Sequence, residues 1–215
     1  MSFAPSEPKA IRIDPHYAES YGNLGNALKE LGDLQGAIEF YLKALKLKPR
    51  FGDAYNNLAS AYMQIGQTQQ AIDTFYMALV LNPSLVDAHS NLGNLLKAQG
   101  RLEEAKRCYL EAIRIRPGFA VAWSNLAGVF KDQGDLETAV AYYNEAIRLQ
   151  PEFADAYSNL GNALRQLGKF AQARKAYERA VHLRPDFAIA HGNLASCHFD
   201  EGNMEKAIKS YKHVG

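Results

Sequence analysis

Six prolines stand 34 residues apart, at Pro15, Pro49, Pro83, Pro117, Pro151 and Pro185. A fixed period of this length means that one supersecondary unit is used again and again, because so small a unit cannot bury its apolar face alone. The 215 residues must draw their stability from stacked neighbours and not from one central core. That constraint favours an extended binding surface over a closed catalytic pocket.

Counting forward from each proline, offset 8 is always Asn: Asn23, Asn57, Asn91, Asn125, Asn159 and Asn193. Offset 9 is always Leu, offset 10 is Gly or Ala, offset 17 is always Gly and offset 22 is always Ala. Offset 26 is aromatic from Tyr41 through to Tyr211, and no insertion breaks the register.

These spacings predict two helices per unit. The first spans about offsets 3 to 16, with apolar or small residues at offsets 6, 9, 10 and 13, which is helical spacing. Glu19, Asp53, Asp87 and Asp155 sit in its first turn, where an acid suits the positive end of the helix dipole. The glycine at offset 17 ends it, since a left-handed cap costs glycine little. The second helix runs on to the next proline, which lacks an N–H and disfavours helix at the residue before it. The small residues at offsets 10, 22 and 29 let two antiparallel helices approach closely. The aromatics at offsets 6 and 26 are expected to fill the core between them.

This pattern resembles the tetratricopeptide repeat, whose signature is an aromatic, Leu-Gly, Ala, an aromatic, Ala and a closing Pro at these spacings. The resemblance covers residues 18–215, as units 18–51, 52–85, 86–119, 120–153, 154–187 and a partial 188–215. It implies an all-α, right-handed superhelical solenoid. Ala10, Ile11 and Ile13 fit the last turn of an earlier second helix, so 9–17 reads as the end of a preceding repeat and 1–8 as a disordered or added tail. Both ends read as cuts through a longer array.

Composition narrows the partners. With 24 basic and 23 acidic residues the net charge is +1, which leaves no global field for steering to nucleic acid or to a membrane surface. No apolar run is long enough to span a bilayer. Cys108 and Cys197 are too few for a disulfide framework, and read as small buried residues in a reduced, cytoplasmic or nucleocytoplasmic setting. There is no phosphate loop, nucleophile elbow or zinc motif. His191 and His198 fall in the slots at offsets 6 and 13, with no third ligand to make a metal site. The chain is therefore expected to be catalytically inert and to need no cofactor.

The asparagine series is the most informative. Asn is a poor helix former, yet it occupies a helix interior six times. Offsets 4, 7, 8, 11, 14 and 15 form one polar stripe by three-and-four spacing. In the tetratricopeptide solenoids that the chain resembles, this stripe lines the inner groove. Stacked helices lie on the order of 10 Å apart and an extended peptide advances about 3.3 Å per residue. One asparagine would then meet the peptide about every third residue, offering both a donor and an acceptor to its backbone. Asp53, Asp87 and Asp155 at offset 4 would add a local preference for donor side chains. The alternative use of the series is a hydrogen bond to the neighbouring repeat.

Segments 90–97, 100–106, 119–126 and 191–195 further resemble the repeat region of the O-linked N-acetylglucosamine transferase family. That resemblance implies recognition of extended or disordered protein substrates through Asn23, Asn57, Asn91, Asn125, Asn159 and Asn193, with the chemistry in a separate domain. It also implies self-association through an outer face early in a second helix. Here that face carries Glu137, which weakens a homodimer. The competing reading is a free-standing adaptor or assembly scaffold. A chaperone-tail clamp would need Lys at offset 7, where the chain has Gly22, Asn56, Ser90, Ser124, Ser158 and Gly192.

Overall fold

The structure, a computed structural model, describes residues 17–200 and 202–211. The expectations for residues 1–8, for the preceding repeat and for Pro15 lie outside the described residues. Among those described there are twelve helices and no strand. They fall into two compact units, residues 1–101 and 102–215. The first holds α1 (Ala18–Glu30), α2 (Leu34–Leu47), α3 (Gly52–Gln64), α4 (Thr68–Leu81) and α5 (Val86–Ala98). The second holds α6 (Leu102–Ile115), α7 (Ala120–Asp132), α8 (Leu136–Leu149), α9 (Ala154–Gln166), α10 (Phe170–Leu183), α11 (Ala188–Asp200) and α12 (Met204–Tyr211). Each first helix ends one residue before the sequence spacing predicts.

The stop signal is the glycine at offset 17. Gly32, Gly66, Gly100, Gly134, Gly168 and Gly202 all have positive φ, between 73° and 84°. The residue after each glycine sends its N–H back to the carbonyl five residues earlier. Asp33 bonds Leu28 and Asp135 bonds Phe130, both at 2.9 Å, closing the Schellman cap. The same residue can then start the next helix. Asp33 Oδ1 accepts from the Gly36 N–H at 2.9 Å and Asp135 Oδ1 from the Thr138 N–H at 3.1 Å. One residue thus ends one helix and caps the next, which fixes the tight turn between them.

Within each pair the aromatic at offset 26 is the packing centre. Tyr41, Phe75, Tyr109, Tyr143 and Tyr177 are fully buried or nearly so. The small residue opposite has a steric reason. A Cβ on Gly25 would lie 2.6 Å from the Tyr41 ring, and one on Gly161 would lie 2.5 Å from the Tyr177 ring. In the first unit Tyr41 packs with Ile38, Leu45, Ala54 and Leu58. In the second, Tyr143 and Tyr177 share a core with Leu160, Leu164, Leu194 and Cys197.

Two expectations about the core need correction. The residues at offset 6 are not core throughout: Tyr21, Tyr55, His89, Trp123 and Tyr157 are half-buried, and only His191 is buried. Where the ring carries an N–H, that polar edge is spent on the chain entry. His89 Nε2, Trp123 Nε1 and His191 Nε2 each lie 2.9 Å from the carbonyl of Pro83, Pro117 and Pro185 respectively. Cys197 is buried as expected, but Cys108 is only half-buried.

Candidate peptide-binding face

The asparagines at offset 8 lie on the first helix of each repeat. Asn23 is exposed and Asn57, Asn91, Asn125, Asn159 and Asn193 are half-buried. They do not share one environment. Asn57 Nδ2 donates to Asn26 Oδ1 at 2.9 Å, from α3 to α1. Asn193 Nδ2 donates to Asn162 Oδ1 at 3.1 Å, from α11 to α9. The acceptors stand at offset 11 of the preceding repeat. Each of them takes a second bond, from Tyr41 Oη to Asn26 and from Tyr177 Oη to Asn162, both at 2.8 Å. Asn91 and Asn159 follow repeats with Ser60 and Gly128 at offset 11, which offer no carboxamide oxygen. The two uses weighed for the series therefore divide: Asn57 and Asn193 brace adjacent repeats, whereas Asn91 and Asn159 make no such bond.

Burial raises the tyrosine pKa values, Tyr41 to about 12, and Tyr143 and Tyr177 are raised by the same cause. Each phenol therefore keeps its proton over the working pH range. A buried hydroxyl needs an acceptor for that proton, and for Tyr41 and Tyr177 the acceptor is the asparagine oxygen. This determines which way the amides of Asn26 and Asn162 point. Their oxygens face the tyrosines, and their Nδ2 groups are the remaining hydrogen-bonding parts.

The acids at offset 4 also differ among themselves. Asp155 takes Nη1 of Arg184 at 3.2 Å and Nη2 more closely on its other oxygen. Arg184 ends α10 in the same repeat, and its guanidinium is raised in pKa chiefly by the Asp155 bond. The first repeat has the same arrangement, with Lys48 Nζ 2.8 Å from Glu19. Asp53 and Asp87 are exposed. The fourth and sixth repeats, which begin with α7 and α11, carry Val121 and Ile189 instead.

Sequence reasoning missed two parts of this face. One is the offset-11 pair, Asn26 and Asn162. The other is a set of cations one helical turn further on, at offset 14: Lys29, Lys97, Lys131 and Arg165. Their period of 34 was visible in the chain; what they meet was not. Arg165 Nη2 lies 3.0 Å from Asp200 of the next first helix. Glu137, in the first turn of α8, is exposed. No group of three or more metal-ligating side chains occurs among the described residues, and no helix there is long and apolar enough to cross a membrane.

Comparisons with known proteins agree on the fold. The sequence matches the family model of the cilia and flagella-associated protein 70 C-terminal domain, a tetratricopeptide-repeat domain, over residues 9–213. Among curated proteins it is 54% identical over 42 residues to the probable UDP-N-acetylglucosamine–peptide N-acetylglucosaminyltransferase SEC of Arabidopsis thaliana. That match spans 20% of this chain and 4% of the relative. The fold is similar to that in the hetero-tetramer Cut9–Hcn1 of the APC/C, with TM-score 0.84 and 20% identity over 96% of this chain and 41% of the other. It is also similar to YrrB, a tetratricopeptide-repeat protein with an unusual peptide-binding site. There the TM-score is 0.70 and the identity 24%, over 86% of this chain and 95% of the other. The all-α repeat solenoid expected from the proline period is the fold observed.

Proposed function

Because the chain belongs to the tetratricopeptide-repeat family of the cilia and flagella-associated protein 70 C-terminal domain, we propose that it is a protein-interaction array that holds extended peptide segments along its asparagine series. The observation that carries this reading is the difference within the series. Asn57 and Asn193 are accounted for by bonds to the neighbouring repeat. Asn91 and Asn159 keep the same residue at the same offset without that bond. A helix interior gives Asn no advantage of its own, so a ligand is the remaining use. The carboxamide pairs with a backbone C=O and N–H together, which suits a segment of varied sequence. Asn23, Asn91 and Asn159 grip the peptide, Asn125 continues the series, Asn57 and Asn193 brace and grip, and the exposed Asp53 and Asp87 favour donor side chains nearby. Asp155 contributes less, being held by Arg184.

The finer reading is the substrate-recognition part of a protein O-linked N-acetylglucosamine transferase. It is supported by the repeat-level resemblance and by the short likeness to the Arabidopsis glycosyltransferase. The second reading, a scaffold in an assembly with no attached enzyme, is favoured by the family match across nearly the whole chain. Both use the same face, and both place any chemistry outside these residues. Titration calorimetry with a panel of extended peptides tests the shared claim. The chain with Asn91, Asn125 and Asn159 all changed to Ala should lose most of its affinity for the panel, and equal affinity in the two proteins would remove the asparagine series as the site.

A further inference from the structure

In two repeats the second helix carries a large ring at offset 25. In the first, the Phe40 ring lies 6.0 Å from Tyr21 at offset 6, close to parallel at 22°. In the fourth, the Tyr142 ring lies 5.4 Å from Trp123 at offset 6 and 5.3 Å from Phe130 at offset 13, both edge-on. Ring pairs of this geometry add to the area they bury. The fifth repeat keeps the opposing wall, with Tyr157 at offset 6 and Leu164 at offset 13. At offset 25 it has Ala176, the smallest residue at that offset in the chain.

A cavity of about 300 Å³ stands at this place. Val140 of α8, Tyr157, Leu160 and Leu164 of α9, and Lys175 and Ala176 of α10 are part of its lining. Leu160, Leu164 and Ala176 are buried at its floor, Val140 and Tyr157 are half-buried, and Lys175 is exposed. At about 100° per residue, offsets 6, 9 and 13 fall on the far side of α9 from offsets 4, 7, 8 and 11. The cavity is therefore separate from Asn159 and the asparagine series.

Its mouth is basic. No acid is among the lining residues, and Lys175 is their one charge. Glu145 of α8 and Glu178 of α10 are taken by Arg148 at 2.7 Å and Arg174 at 2.9 Å. Glu137, one turn before Val140, does not line the cavity. Lys175 and Arg179 stand four residues apart on one face of α10. Both are exposed, and neither forms an ion pair among the described residues.

We infer that this cavity is a second docking site, which takes one aromatic side chain of a partner protein with acidic residues on either side of it. The ring stands against Tyr157 and Leu164, where Tyr142 stands against Trp123 and Phe130 in the repeat before. The array supplies that ring itself in its first and fourth repeats and leaves its place open in the fifth. The flanking acids meet Lys175 and Arg179. A ring desolvated in a pocket carries most of such a contact, and the charges around it select the partner.

The test uses three acetylated and amidated peptides on the full chain: Glu-Glu-Phe-Glu-Glu, the same with Ala for Phe, and Lys-Lys-Phe-Lys-Lys. Binding is read from the methyl resonances of Val140, Leu160 and Leu164. The acidic Phe peptide should shift them saturably and bind about tenfold more tightly than either other peptide, since it alone brings both the ring and the charge. Ala176→Phe supplies the ring from within, so it should abolish the shifts while the melting temperature holds or rises. Lys175→Glu, at an exposed position, should leave the fold intact and remove the preference for acidic flanks; it decides alone if Ala176→Phe misfolds. The proposal is overturned by the absence of saturable methyl shifts, by equal binding of the Phe and Ala peptides, by shifts that persist in Ala176→Phe, or by a charge preference that survives Lys175→Glu. Shifts confined to the side-chain amides of Asn91 and Asn159 also overturn it, and leave the asparagine series standing. Self-association in sedimentation equilibrium that Ala176→Phe abolishes overturns it too, because a second copy is then the occupant.

Discussion

Asn57 Nδ2 donates to Asn26 Oδ1 at 2.9 Å, across two first helices whose residues lie 31 positions apart. The same oxygen accepts from Tyr41 at 2.8 Å. One carboxamide therefore couples the stacking of repeats to the packing inside one repeat. Asn26→Ala should destabilise the chain by about 1–3 kcal/mol, because a buried phenol loses its acceptor. Tyr41→Phe in the same chain should recover part of that loss. Urea unfolding of the two single variants and the double variant gives the coupling, expected at roughly 0.5–3 kcal/mol. Additive losses would mean that Asn26 and Tyr41 do not act together.

The close approach of Gly161 to Tyr177 makes a second prediction. A Cβ there would stand 2.5 Å from the ring, so Gly161→Ala should cost about 1–3 kcal/mol through overpacking, despite the better helix propensity of Ala. Gly168→Ala should be destabilising for a different reason, its φ of +73° with open space around it. The two are separable with Tyr177→Leu, which should relieve the first loss and leave the second unchanged in thermal unfolding.

The ion pair at the edge of the first repeat has a pH signature. Lys48, together with Tyr17, holds the Glu19 carboxyl below its ordinary range. A depressed carboxylate contributes stability that is present above the unfolded-state pKa and is lost as the pH falls through the folded one. The contribution is small at so exposed a site, and it should weaken with salt. An NMR titration should find the Glu19 carboxyl below its ordinary range, and Lys48→Gln should return it upward. An unchanged Glu19 midpoint in Lys48→Gln would remove the pairing.

Much of this molecule can be read along the chain. The glycine at offset 17 must take a left-handed conformation to end a helix, and Gly32 through Gly202 all do. The buried aromatics at offset 26 follow equally from spacing. What sequence reading misassigned or missed depends on partners that stacking brings together. His89 and Trp123 look like core residues until the proline carbonyls come within 2.9 Å of their ring nitrogens. The polarity of Asn162 is decided by Tyr177, fifteen residues on in another helix. Lys131 and Arg165 lie a full repeat apart in the chain, and meet around one hollow only after α7, α9 and α11 have stacked.

The account turns on whether Asn91 and Asn159 are left open for a peptide. The most direct measurement is on their side-chain amides, assigned in an NMR spectrum of nitrogen-labelled protein and followed as an extended peptide is added. The Nδ2 resonances of Asn91 and Asn159 should shift as the peptide saturates, by more than those of Asn57 and Asn193, which already bond their neighbours. Saturable binding that leaves Asn91 and Asn159 unmoved would contradict the account and place the peptide on another face.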